Sequence, residues 1–321
     1  MAKILVTGGC GFIGSHTVDR LIEEKNEVFV IDNLSTGFIE NLNKKAIFYN
    51  IDIRNREKLK ELFENYYFDY VFHFAAQINV RKGEEDPKFD IDVNIVGIIN
   101  LLEELKNKPP KKIIFSSTGG VMYGLVDIFP TPESIEPFPI CTYGISKLTC
   151  EKLLYAYSKK YGINYVALRY GNVYGPRQNY LSEAGVIAIF ISRIFEDKEC
   201  IIFGDGNQTR DFIYIEDVVD VNILFMKNNL IGTFNVGTGI ETNVNNIFEI
   251  IRKNIKKECK KVYGEEKKGE LKRSCLSIEK IKKKTGWFPK FTIEEGIKKT
   301  IDWFYIKQKF NKKMFPIQDH L

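Results

Sequence analysis

Short runs of β-branched and aromatic residues recur along the first 170 residues, each followed by a stretch whose apolar positions fall three or four apart. The runs predict strands at Lys3–Thr7, Glu27–Ile31, Ala46–Asn50, Tyr70–Phe74, Lys112–Ser116 and Tyr165–Arg169. Between them, Val18, Leu21 and Ile22 share one helical face, and Ile95, Ile98, Ile99 and Leu102 another. Strand and helix in alternation imply an α/β fold built on a doubly wound parallel sheet. After Arg169 the pattern loosens, with turn signals at Gly171 to Asn179, Gly204 to Asp211 and Val236 to Gly239. We therefore expect a first domain of residues 1–170 plus about 212–236, and a smaller α/β lobe from about 171–211 and 237–321. No linker rich in Pro, Gly or Ser divides them, so the lobes are expected to pack tightly. The last residues, from Lys309 to Leu321, show no clear period and read as a mobile tail.

Composition narrows this little: 321 residues, 44% hydrophobic and 28% charged, exclude a disordered or fibrous chain. No apolar run reaches the ~18–20 residues of a spanning helix, so no membrane is expected as a partner. The start, MAKILVTGG, lacks a signal peptide's apolar length and cleavage site, which points to the cytoplasm. Six scattered cysteines and three histidines have no ligand spacing, so neither a disulfide framework nor a metal is expected. Charge is uneven: from residue 251 onward 21 Lys and Arg face 9 Asp and Glu. Lysine-rich solvated helix faces account for this more simply than an anionic partner, and no nucleic acid is expected.

Candidate chemistry begins at Lys3 to His16, KILVTGGCGFIGSH, where strand, glycine loop and helix start coincide. Gly8, Gly11 and Gly14 permit the tight turn, the approach of backbone to a pyrophosphate and the packing of helix on strand. Asp32 ends the next strand, where an acid binds a ribose diol and repels a 2′-phosphate. NAD is the expected cofactor, in a Rossmann-type domain. Cys10, between the glycines, reads as a small hydrophobe.

Farther on, KKIIFSSTGG presents Ser116, Ser117 and Thr118 at a strand end, and Tyr143 and Lys147 stand four apart. On a helix over 142–160 the two share a face, so an ammonium can lie beside a phenol. A tyrosine titrates near 10, and a base for neutral pH needs a depression of roughly 3 units, about 4 kcal/mol. Lys147 and a positive nicotinamide ring are expected to supply it together.

With these residues in view, the chain resembles the extended short-chain dehydrogenase/reductase family and, within it, the UDP-glucose 4-epimerase group. Further segments carry the resemblance: NIDIRN (Asn50 to Asn55), HFAAQINV (His73 to Val80), DVNIVGIINLLE (Asp92 to Glu103), LRYGNVYGPRQ (Leu168 to Gln178), IIFGDGNQTRDFIYIEDV (Ile201 to Val218) and NVGTG (Asn235 to Gly239). The resemblance implies a catalytic set of Thr118, Tyr143 and Lys147. Its cofactor set adds Phe12, Ile13, Asn33, Ser35, Thr36, Gly37, Asp52, Ile53, Phe74, Ala75, Ala76, Gln77, Asn94, Ser116 and Tyr170. For the nucleotide sugar it implies Thr118, Asn172, Val186, Ile202, Phe203, Arg210, Lys267 and Ser274. The implied reaction is reversible oxidation at C4 of a UDP-hexose through a 4-keto sugar, with NAD restored in each cycle. A homodimer through helices near Pro87–Leu105 and Thr142–Lys160 is also implied.

Three local features bear on substrate. Gly119 and Gly120 follow Thr118, where related dehydratases carry an acid that water elimination needs, so simple epimerisation is favoured. Lys267 stands where the family has an arginine on the diphosphate, and lysine lacks the fork. Ser274 stands where a tyrosine restricts some relatives to unsubstituted hexoses, leaving room for a 2-acetamido group. Lys82 to Glu85 depart from the family's serine and apolar residue, with no account from sequence, and leave UDP-glucuronate as an alternative.

Overall fold

The computed structural model describes residues 1–180, 185–255, 257–267 and 269–314, with the backbone alone for 308–314. Its main strands are β1 (Lys3–Thr7), β2 (Glu27–Asp32), β3 (Ile47–Asn50), β4 (Tyr70–His73), β5 (Lys112–Thr118) and β6 (Tyr165–Tyr170). Each expected strand forms within one or two residues of its expected ends. Three more follow, β7 (Asn172–Tyr174), β8 (Cys200–Phe203) and β9 (Thr209–Tyr214), then β10 (Gly232–Val236), β11 (Glu241–Asn243) and β12 (Lys261–Gly264). Among the described residues, seven strands build one sheet in the order β10-β6-β5-β4-β1-β2-β3. Every pairing in it is parallel.

Alternation along each strand explains why both faces are covered. Ile4, Val6, Val28, Val30 and Ile114 enter one apolar cluster, while Leu5, Phe29, Ile31, Ile113 and Phe115 enter the other. Helix α1 (Phe12–Glu23) lies on the first face, giving it Val18 and Leu21. The second face receives Leu59 and Leu62 of α2 (Arg56–Asn65). After the short α3 (Val80–Glu85), a continuous helical segment runs through α4 (Pro87–Ile91), a π-turn (Asp92–Val96) and α5 (Gly97–Leu105). It buries Ile98, Leu101 and Leu102, and α6 (Thr142–Tyr161) adds Cys150 and Leu154 on the same face.

The later elements are α7 (Val186–Phe195), α8 (Ile215–Lys227), α9 (Val244–Ile255), α10 (Glu279–Thr285) and α11 (Ile293–Met314). Smaller sheets join β11-β9-β7 and β12-β8. The mobile tail expected from Lys309 is corrected in part, because α11 continues to Met314. Ile297, Ile301 and Phe304 anchor that helix in the core, and no glycine or proline falls between Ile297 and Met314. The rest of the expected tail, 315–321, lies outside the described residues. No described helix is long and apolar enough to cross a membrane, and no described cluster of His, Cys, Asp or Glu could hold a metal.

Candidate active site

The candidate residues gather at the carboxyl ends of β1, β2, β4, β5 and β6, where the strand order reverses on either side of β1 and β4. Chain crossings there are tight. Gly8 has φ +70°, and a Cβ on it would stand 2.6 Å from the Ala75 amide nitrogen. A Cβ on Gly14 would lie 2.2 Å from the Gly8 carbonyl oxygen. Gly11 faces no neighbour closer than 3.2 Å, so the turn leaves backbone open at the N-terminus of α1, the place a pyrophosphate takes. Asp32 Oδ2 accepts the Cys10 N–H at 3.0 Å and Oδ1 the Leu34 N–H at 2.8 Å, which fixes the carboxylate beside that loop. Burial nonetheless pushes its pKa up. This cradle fits a dinucleotide.

Asn33 Nδ2 donates to Asp52 at 2.8 Å, and Arg54 grips the same carboxylate at 2.7 and 3.0 Å. Arg54 also reaches Asp92 at 3.2 Å, and the bonds from Arg54, with that from Asn33, hold Asp52 well below the usual carboxylate range. Arg54 was not among the expected residues, although its spacing two after Asp52 signals the pair. Ile53 packs on Gly97, where a Cβ would come within 2.5 Å of its Cδ1. Ser35, Thr36 and Gly37 follow in the same loop, with a Cβ on Gly37 only 2.9 Å from the Cys10 carbonyl carbon.

The loop from Phe74 to Gln77 is pinned by Asn94, which lies in the π-turn. Asn94 Oδ1 accepts the Gln77 N–H at 2.9 Å, while its amide donates to the Gln77 carbonyl, Asp90 and Ser146 at 3.0 to 3.2 Å. π-turns reorient side chains at functional sites, and this one aims a single amide at the loop and α6 together. Asp90, fully buried, and Ser146 were missed by sequence reading because their work lies in this contact across elements.

Tyr143 and Lys147 share a face of α6 as expected, with Lys147 Nζ 5.9 Å from the Tyr143 ring centre. Lys147 donates to the Ser116 carbonyl at 2.9 Å and lies 4.8 Å over the Phe115 ring. The expected depression of Tyr143 is not delivered by the protein alone: burial, then Asp90, push the phenol above its ordinary value. Burial also brings Lys147 down to about 8. The expectation counted the ammonium's attraction but not the desolvation of both groups.

Lys82 to Glu85 now have an account. Glu84 Oε1 accepts the Thr142 N–H at 2.7 Å, occupying an orphan donor at the N-terminus of α6, where Cys141 offers no side-chain cap. Lys82 lies 4.5 Å over Phe89, and Gly83 leaves room for Asp90, 3.0 Å from where its Cβ would be.

Thr118, Asn172, Arg210 and Ser274 come together. Asn172 Oδ1 is 3.5 Å from the Cβ position of Gly120, and Ser274 Oγ donates to the Gly120 carbonyl at 3.2 Å. The Ser274 N–H bonds to the Thr209 carbonyl, one residue before Arg210. Arg210 is already engaged: it donates to Glu270 at 3.1 Å and to the Thr209 carbonyl at 2.8 Å. Val186 opens α7. Ile202 departs from expectation, because the alternation of β8 turns its side chain into the core and leaves Phe203 outward, under Lys267 Nζ at 4.1 Å. Tyr170 is likewise part of the frame, its hydroxyl donating to Asn222 at 2.5 Å and its carbonyl accepting the Gly119 N–H at 2.7 Å.

This is the fold and cleft of a dinucleotide-dependent short-chain enzyme of the extended kind. Residues 4–237 match the NAD dependent epimerase/dehydratase family, and the chain belongs to it. The chain is similar to the UDP-glucose 4-epimerase of Thermotoga maritima crystallised with UDP-glucose, at 46% identity and a TM-score of 0.94, covering 95% of this chain and 99% of that one. It is similar to the UDP-N-acetylglucosamine 4-epimerase of Methanobrevibacter ruminantium M1 in complex with UDP-N-acetylmuramic acid, at 37% identity and a TM-score of 0.90, covering 95% and 99%. It is also 35% identical to the UDP-glucuronate 4-epimerase of Thermodesulfobacterium geofontis, covering 94% of this chain and 96% of that one.

A buried and a half-buried histidine set an acid response. His73 Nδ1 shares a hydrogen bond with the Thr7 hydroxyl, 2.7 Å away, and burial, with Lys147 nearby, lowers its pKa from 6.5 to about 3. His16 bonds to the Pro176 carbonyl, and burial lowers it to about 4. The unfolded chain takes up both protons near 6.5 while the folded one resists, so stability is lost as pH falls from there towards about 4. The melting temperature is expected to fall steadily over that range, and a flat profile would contradict the two assignments.

Proposed function

We propose that this enzyme inverts C4 of UDP-hexoses, with a pocket that also takes their 2-acetamido forms. The observation that supports the reading is that Tyr143 and Lys147 share one face of α6 and Lys147 donates to the Ser116 carbonyl, two residues before Thr118, while Ser274 bonds the Gly120 carbonyl two residues after it. Gly8, Gly11, Gly14, Asp32 and the Phe74–Gln77 loop would hold NAD, which when bound supplies a reversible hydride acceptor and a positive ring. Tyr143 takes the proton of the sugar 4-hydroxyl and returns it after the 4-keto sugar has turned. Lys147, fixed by the Ser116 carbonyl, orients the phenol and favours its charged form. Thr118 offers its hydroxyl to the same sugar oxygen.

Elimination of water is disfavoured by packing. Gly119 carries no acid, and a Cβ there would meet Leu276 Cδ1 at 2.4 Å and the Arg169 carbonyl oxygen at 3.1 Å, so the acid that a dehydratase needs would have to displace the Leu276 side chain. A uronate is disfavoured by charge. Glu84 places a carboxylate at the N-terminus of α6, where it would repel a sugar carboxylate. Arg210 and Lys267 would take the diphosphate, with Arg210 leaving Glu270.

Tyr143→Phe is expected to lose nearly all turnover of UDP-galactose while retaining cofactor; substantial residual activity would refute Tyr143 as the base. Ser274→Tyr should cut turnover of UDP-N-acetylgalactosamine by roughly tenfold or more and spare UDP-galactose. Equal effects on the two sugars would remove Ser274 from the specificity pocket. We also infer a homodimer, because Ile91, Val96, Ile145 and Tyr155 stay exposed on α4, the π-turn and α6. Sedimentation at micromolar concentration should give twice the chain mass, and a monomer would reject that interface.

A further inference from the structure

Behind the catalytic strand lies a polar chain that no step above uses. Glu151, one turn beyond Lys147, and Arg169 of β6 are each about 5% exposed and form a forked pair at 2.9 and 2.6 Å. Ser117, the residue before Thr118, donates to the same carboxylate at 2.6 Å. Arg169 donates its remaining nitrogen to the Tyr123 hydroxyl at 2.9 Å, with the guanidinium 5.1 Å over that ring. The Tyr123 hydroxyl donates in turn to Asn235 Oδ1 at 2.7 Å. Asn235 Nδ2 donates to the carbonyls of Thr131 and Ser277 at 2.9 and 3.3 Å. Every side chain in this line is buried and partnered.

The two ends are what matter. One end is the catalytic strand and helix; the other is the segment carrying Ser274 to Ser277, whose Leu276 presses on Gly119. A pair buried this deeply gives little net stability over apolar packing, so the value of such a line is the one arrangement it permits. Resting on the epimerase reading above, we propose that Glu151, Arg169, Tyr123 and Asn235 are positioning residues that hold the sugar-facing wall at a fixed distance from Thr118 and Tyr143. A keto sugar that turns between departure and return of hydride depends on that distance more than its binding does. Loosening the wall should release the keto sugar before hydride comes back, leaving reduced cofactor behind.

Tyr123→Phe keeps the ring over Arg169 and removes only the hydroxyl link. Its cofactor content and UDP affinity are expected to match the parent enzyme, with the melting temperature lowered by only a few degrees, because Arg169 and Asn235 each lose one buried partner. Its kcat with UDP-galactose should fall about tenfold, and the near-ultraviolet absorbance of reduced nicotinamide should build up during turnover. Ser117→Ala, which cuts the other end, should show the same absorbance and serves if Tyr123→Phe does not fold. Unchanged kcat with no such absorbance in a folded variant would overturn the proposal. If the parent enzyme itself fails to convert UDP-galactose, the epimerase reading falls first, and this inference falls with it.

Discussion

Close approach of backbone to backbone at the end of β1 governs the site. The turn at Gly8 passes so near the Ala75 amide, and α1 starts so near the Gly8 carbonyl, that a single methyl group at Gly8 or Gly14 would force them apart. That approach sets where α1 points its N-terminus and where the Phe74–Gln77 loop lies. Asn94 then fixes the loop to α6, and α6 fixes Tyr143. The same device returns at Gly119, where the lack of a side chain lets Leu276 reach the end of β5. Contact made possible by glycine thus brings together first the cofactor cradle and then the sugar wall.

Electrostatics at the centre is a balance that the protein leaves unfinished. Burial disfavours charge on both Tyr143 and Lys147, raising one pKa and lowering the other. Neither group is primed by its protein surroundings alone, which matches a family that works only with a bound dinucleotide. On the proposed reading, a positive ring beside the phenol would supply the missing stabilisation, so cofactor binding and activation of Tyr143 would be coupled.

The sheet was legible because alternation and apolar runs report the surroundings of each strand directly, and Lys3–Thr7 carries the apolar run expected of a strand flanked on both edges. The glycine cradle, Asp32 and the Tyr143–Lys147 pair were legible because their spacing carries the geometry. Glu84 was not, since nothing local says that its carboxylate meets the end of a helix 58 residues later. Asp90, Ser146 and the Glu151–Arg169 pair were hidden for the same reason. Ile202 was misplaced because a motif identifies a strand but not which face each of its residues takes; Cys200 and Ile202 face the core together.

The central claim is that the chain alone, with the dinucleotide it retains, inverts C4 of a neutral UDP-hexose. Proton NMR of purified protein with UDP-galactose, and separately with UDP-glucuronate, with no cofactor added, tests it most directly. The account predicts conversion of UDP-galactose to UDP-glucose and little or none of the uronate. Conversion of UDP-glucuronate alone, or a stable keto product with either sugar, would contradict it.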